Sequence, residues 1–283
     1  MTPNRTADTK DLADIAAALE EQDVARASTL ARQALAEGIE HPLLLNLRAY
    51  WHEAEGRDAD AFSDLQRASE LAPHDIAVLN ALGLAHARAG RMREAAQVFD
   101  SIVALQPDFA PAHFNKGWTS EDLGNLDIAR ACFRRSSELN PNSASVWARL
   151  AALAARTGDW ESVGVNAERS LKLDARNPIA VQALASLELA QGHATAAEQR
   201  LRALLADKSL VPLDRVNAEG LLGDVLDSQD RAAEAFAAYS SSNALLHQIH
   251  VSRFSGSGME TMPQYLEWLT RWFERLDPAQ WQP

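Results

Sequence analysis

The sequence predicts an all-α protein built as a right-handed superhelical solenoid of helix-turn-helix repeats, and three observations carry that prediction. Gly56, Gly90, Gly124, Gly158 and Gly192 recur every 34 residues. Pro73, Pro107 and Pro141 recur at the same step, as do Ala27, Ala61, Ala95, Ala129 and Ala197, with Val163 in the one gap. The composition is 47 % apolar but only 6 % aromatic, the Ala- and Leu-rich mixture of a long helical chain rather than of a disordered one.

Each marker has a physical role. Gly tolerates the positive φ that ends the first helix of a repeat. The recurring Ala, on the second helix, is expected to meet a small residue on the first: Ala49, Gly83, Gly117, Ala151 or Ala185. Phe99, Phe133 and Leu201, one turn later, are expected to fill the wedge between neighbouring repeats. Pro prevents the second helix from continuing. The stretch NALGLAHARAGRMREAAQVFDSIVALQP (80–107) thus reads as helix, turn, helix, stop, and it resembles the tetratricopeptide repeat (TPR).

Anchoring on Pro107 and Pro141 places repeats at 42–75, 76–109, 110–143, 144–177 and 178–211, after a disordered stretch 1–7 and a degenerate first repeat at 8–41 that lacks both Gly and Pro. The register then slips by four residues at SLVPLDR, where Pro212 reads as part of a longer connection. A seventh repeat follows at 216–249, with Gly223, Asp230 as turn residue, Ala235 and Tyr239. The Ser/Gly stretch within 250–262 reads as a linker, and 263–276 as a capping helix opened by Pro263, with a tail to 283. On that helix Leu266, Leu269, Phe273 and Leu276 form a stripe suited to covering the last repeat, leaving Trp268 and Trp272 for a second surface. That surface would meet a following domain, a second copy of the chain or another protein.

Function classes are excluded as readily as proposed. With 27 basic against 39 acidic residues the net charge is −12, which disfavours nucleic acid and anionic membranes as partners. One cysteine, Cys132, excludes an intramolecular disulfide and a Cys-rich zinc site; it falls on the buried side of its helix. No apolar run approaches the length of a bilayer span and no export signal is visible, so a cytoplasmic location is expected. No phosphate loop, nucleophile elbow or H-E-x-x-H pair occurs; no catalytic residue and no cofactor is assigned, and the chain reads as a non-enzyme. His247 and His250 lack a third ligand nearby, which leaves the chain without an assigned metal site.

The TPR resemblance implies that first helices line a concave groove that binds a peptide or protein segment. Its groove positions fall here on Asn46, Tyr50, Glu53, Asn80, Phe114, Asn115, Trp118, Glu121, Arg149, Gln182, Asn217, Asp224 and Asp227. Asn is a poor helix former, so Asn46, Asn80 and Asn115 on successive first helices need a reason. An amide that both donates and accepts grips a peptide backbone; the alternative is a merely solvated position. Phe114 and Trp118, four apart, either form an apolar platform or pack between repeats. Trp147 and Trp160 read as packing residues. The carboxylate clamp of chaperone-binding TPR domains is absent, since Asn46, Asn80 and Phe114 stand where Lys is wanted.

Residues 221–246 (LLGDVLDSQDRAAEAFAAYSSSNALL), followed by PQYLEWLTRWFERLDPAQW, also resemble the end of the TPR region in bacterial TPR-sulfotransferase fusions. That resemblance implies a chain cut at a domain boundary, or a stand-alone relative, whose parent presents protein substrates to a catalytic domain. The primary expectation is a non-catalytic interaction scaffold; the recruiting region of a sulfotransferase is the alternative.

Overall fold

The computed structural model describes residues 9–254, and every described element is helical. The chain divides after Asn177 into two compact units. The first contains α1 (Thr9–Glu20), α2 (Val24–Ala36), α3 (Pro42–Ala54), α4 (Asp58–Leu71), α5 (Ile76–Arg88), α6 (Met92–Leu105), α7 (Ala110–Asp122), α8 (Leu126–Leu139), α9 (Ala144–Arg156) and α10 (Trp160–Leu173). The second contains α11 (Pro178–Ala190), α12 (Ala194–Leu205), α13 (Pro212–Asp227) and α14 (Ala232–Phe254). Consecutive helices pair, and within the first unit each pair packs on the next.

The turn inside each repeat is set by one left-handed residue. Gly56, Gly90, Gly124, Gly158 and Gly192 have φ of +70°, +73°, +79°, +73° and +78°. The following N–H reaches back to the helix, as in Arg57 to the His52 carbonyl at 2.8 Å, and so closes the C-terminal cap. Gln22 and Asp230 occupy the same place with φ of +59° and the same closure, from Asp23 to Ala18 at 2.8 Å and from Arg231 to Leu226 at 3.1 Å. The first repeat therefore keeps the turn without the glycine.

Where the two helices of a repeat cross, Ala49 shares a cluster with the recurring Ala61 as expected, and the bulkier residue one turn later also covers the small one. A Cβ on Gly117 would lie 2.7 Å from Cε1 of Phe133, and one on Gly83 would lie 2.7 Å from Cε1 of Phe99. Gly223 is covered in the same way by the Tyr239 ring. The aromatic thus packs down on the glycine of its own repeat, although Ala112 of the next repeat joins the cluster around Phe99. Where the bulkier residue is Leu the small one is Ala: Ala49 and Leu65 share a cluster, and Ala185 and Leu201, at the same repeat positions, are both fully buried. In the first repeat the sizes are exchanged, Ile15 with Ala31, both fully buried. In the fifth repeat the equivalent positions are both Ala, Ala151 and Ala167, and Val163 stands in place of the usual Ala; all three are fully buried.

Buried hydroxyls tie the pairs together. Ser136, Ser170 and Ser242 donate to the carbonyls of Ala110, Ala144 and Val216 at 3.0, 2.9 and 2.9 Å. Between repeats, His113 Nε2 and Trp147 Nε1 each sit 2.8 Å from a loop carbonyl, of Pro107 and Pro141. Trp147 is thus the packing residue expected, whereas Trp160, at the start of α10, is 38 % exposed.

Two differences concern the C-terminal unit. The four extra residues before the seventh repeat are not part of a connection; they add a turn to α13, which Pro212 begins because its fixed φ already suits a first helical turn. Arg215 on that turn donates to the Leu205 and Asp207 carbonyls at 3.0 and 2.7 Å, occupying the end of α12. The last described helix runs to Phe254, five residues into the expected linker. The expected capping helix, with Trp268 and Trp272, and the expected disordered stretch 1–7 lie outside the described residues.

Two outcomes test these packing rules. Helix propensity alone would make Gly117→Ala stabilising by about 1 kcal/mol. The Phe133 ring above it should instead make the variant less stable by about 1–3 kcal/mol. Adding Phe133→Leu, which recreates the Ala49–Leu65 pairing, should recover part of that loss, read as a positive coupling in a urea-denaturation double-mutant cycle. Gln22→Gly should add roughly 1 kcal/mol by removing the left-handed strain; an unchanged or lower denaturation midpoint would show that the turn tolerates Gln without cost.

Candidate functional site: the first-helix face

Successive first helices touch across the repeats of the first unit, α3 with α5 and α5 with α7, while successive second helices do not approach to that extent among the described residues. The first helices therefore lie on the inside of the curve, and their free face is the candidate surface. Asn46, Asn80, Phe114, Asn115, Trp118 and Arg149 are all half-buried on it, and Tyr50 is 56 % exposed.

The residues on this face are bonded to one another along diagonals. Asn115 Nδ2 donates to Asn80 Oδ1 at 3.0 Å. Glu53 pairs with Arg88 of the next repeat. Glu121 is clasped by Arg156 at 3.1 Å and Arg149 at 3.5 Å, both of the next repeat. Glu53 to Arg88, Asn80 to Asn115 and Glu121 to Arg156 each span 35 residues, one repeat plus one position. Burial pushes the Glu53 carboxyl up, although Arg88 pulls it the other way. Columns of equivalent positions 34 apart miss these pairs; reading the sequence for complementary polar residues 35 apart would have found them.

Phe114 and Trp118 are anchored in the core. Phe114 tilts against Phe133 with ring centroids 5.6 Å apart. Trp118 packs against both the cluster around Phe99 and the one around Phe133, so it bridges repeats. Behind the face, Trp51 is held between the guanidinium groups of Arg32 and Arg57 at 4.0 and 4.1 Å, and Arg48 grips Asp64 with two bonds of 2.7 and 2.6 Å. Cys132 is buried, and desolvation pushes its thiol up.

In the second unit Gln182 Nε2 donates to the Asp214 carbonyl at 3.3 Å. Asp224 accepts the Tyr239 hydroxyl at 2.7 Å, and that bond holds the phenol up to about 12. Both serve contacts between helices of that unit. Asn217 and Asp227 are exposed. Among the described residues no three His, Cys, Asp or Glu side chains are grouped to hold a metal ion, and no helix is long and apolar enough to cross a membrane.

Comparison with known proteins agrees with this architecture. Tetratricopeptide-repeat family models match residues 63–110 and 110–143. A tetratricopeptide repeat protein from Parabacteroides merdae superposes with a TM-score of 0.63 at 16 % identity, over 83 % of this chain and 92 % of that one. The Cut9–Hcn1 hetero-tetramer of the APC/C gives 0.63 at 13 % identity, over 78 % of this chain and 43 % of that one. YrrB, described as a TPR protein with an unusual peptide-binding site, gives 0.51 at 15 % identity, over 74 % and 97 %. Human protein O-mannosyl-transferase TMTC3 is 26 % identical over 171 residues, 59 % of this chain and 19 % of that protein. The chain therefore spans about a fifth of that human relative's length. The chain carries TPR repeats, and its stacked helix pairs are the TPR fold.

The histidines behind this face supply a pH test. Burial lowers the pKa of His52 and of His86, which also faces Arg91. A lowered folded-state pKa means the neutral ring is favoured on folding. Its contribution is complete above the ordinary value of about 6.5 and is lost as the pH falls through the folded-state value. The melting temperature should therefore fall on going from pH 7.5 to 5.5, and His52→Gln with His86→Phe should flatten that decline.

Proposed function

We propose that this chain is a protein-interaction scaffold that binds an extended polypeptide segment along the first-helix face of α3, α5 and α7. The observation that carries the reading is Tyr50: an aromatic side chain left 56 % exposed on the inner face, beside the half-buried amide of Asn46. An exposed Tyr offers a large, stiff contact at low entropic cost, and such residues commonly dominate binding. The Asn80–Asn115 pair keeps donor and acceptor capacity beyond its own bond, which suits the backbone of a bound segment. YrrB, of the same fold, is described as having a peptide-binding site, which makes this class of ligand reasonable here. On this reading Phe114 and Trp118 shape the groove wall, Arg149 holds Glu121 in place, and the chain itself performs no chemistry.

The link to sulfotransferases rests on the sequence of residues 221–246 and 263–281 and adds no residue to this face. The transferase named among the relatives is far longer than this chain, and its activity is not carried over.

A photo-crosslinking side chain at position 50 should yield discrete protein adducts in cells, and one at exposed Ala104 on α6 should not. Against the partner so identified, Tyr50→Ala should weaken binding by about tenfold with helical content unchanged. Adducts from position 104 alone would move the binding surface to the outer face.

A further inference from the structure

Within the first unit successive second helices do not pack closely on one another among the described residues, and side chains of the intervening first helix reach the steps between them. Most of these steps are plugged. Between α2 and α4 the plug is the Arg48–Asp64 ion pair, with His52 Nε2 3.6 Å from the same carboxylate. Between α4 and α6, Arg91 lies 3.9 Å over Phe62, whose ring meets His86 edge-on at 5.0 Å. Between α6 and α8, Lys116 pairs with Asp100 at 2.6 Å beside Cys132.

Between α8 and α10 the same repeat positions enclose an open cleft of about 180 Å³. Arg130, Arg134 and Ser137 form one wall, Asp159, Ser162 and Asn166 the other, and Trp147, Leu150 and Ala154 the floor. Among the described residues neither guanidinium makes an ion pair, though both lie near enough to Asp159 to help lower its pKa, and Arg130 donates to the Thr157 hydroxyl at 3.2 Å. Asp159, the one carboxylate of the lining, is engaged in capping α10 through the Ser162 N–H at 3.2 Å. A third guanidinium, Arg169, stacks on Trp147 at 4.7 Å. Two arginines one helical turn apart, an amide and hydroxyls thus face a partly apolar floor, in a chain whose net charge is −12.

We propose that this cleft is a second binding site, on the opposite side from the first-helix face, for an anionic side chain of a partner polypeptide, either carboxylate or phosphate. Guanidinium groups bind both oxyanions through paired N–H donors, and here one of those donors, on Arg130, is spent on the Thr157 hydroxyl while no ion pair among the described residues takes up the rest. The Leu150 and Ala154 floor favours an anion carried on a hydrocarbon stem over a free, fully hydrated ion. The overall negative charge gives no long-range attraction, so selectivity comes from these contacts at short range.

The test is a titration of the full chain with a capped oligoglutamate peptide, a capped phosphoserine peptide and inorganic phosphate, followed by NMR at the Trp147 indole N–H and the Arg130 and Arg134 Nε–H signals. At least one peptide should give saturable shifts confined to these signals, and which one does so identifies the oxyanion. Arg130→Gln with Arg134→Gln should weaken that peptide by about tenfold or more, the scale of losing a hydrogen bond to a charged group. Asn166→Asp, which keeps both guanidinium groups and the shape of the wall, should weaken it too. Tyr50→Ala should leave it unchanged, which separates this site from the inner face. Shifts spread over exposed arginines elsewhere, binding of phosphate without either peptide, or full affinity in both wall variants would overturn the proposal.

Discussion

A fixed volume has to be filled where the two helices of each repeat cross. Gly under Phe or Tyr, Ala beside Leu, and Ile beside Ala are different ways of filling it. Overpacking and underpacking both cost stability, so the residues at a crossing vary together while the helices keep their spacing. That spacing decides how each pair stacks on the next, and hence which side chains reach the surface between repeats.

The stacking is asymmetric, and the two faces differ for that reason. First helices approach closely enough for polar side chains to bridge from one repeat to the next, which yields the diagonal of Glu53–Arg88, Asn80–Asn115 and Glu121–Arg156. These bonds link neighbours and leave Tyr50 as the prominent exposed aromatic of the inner face. In the first unit second helices stand apart, and each gap between them must be filled by its own side chains or remain open. An ion pair, an aromatic stack and a Lys–Asp pair fill three of them; the arginines of α8 leave the fourth open.

Asn80 and Asn115 show how such a surface is read only in part from sequence. Each is a poor helix former on a first helix, and that anomaly marks them without a structure. That they bond to each other is invisible to a column-by-column reading, because the bond joins adjacent positions of adjacent repeats. Trp118 is the complementary case. Its position marks it as a groove residue, yet its ring is shared between two core clusters, so its removal would disturb packing as well as any ligand.

The sequence by itself determined the helix pairs, their period and their turns, because these are local. A left-handed residue, a proline stop and a small residue at a crossing act within about one repeat, and their spacing recurs along the chain. Even so, Gln22 performs the turn without the expected glycine, and Pro212 lengthens a helix that was expected to be a connection. Tertiary structure alone decided which surface groups are used up and which are left over. Arg130 and Arg134 look no different in the sequence from Arg48 or Arg91. Whether a guanidinium finds a carboxylate or an aromatic ring depends on side chains about 10 to 35 residues away, brought into reach by how one helix pair settles on the next.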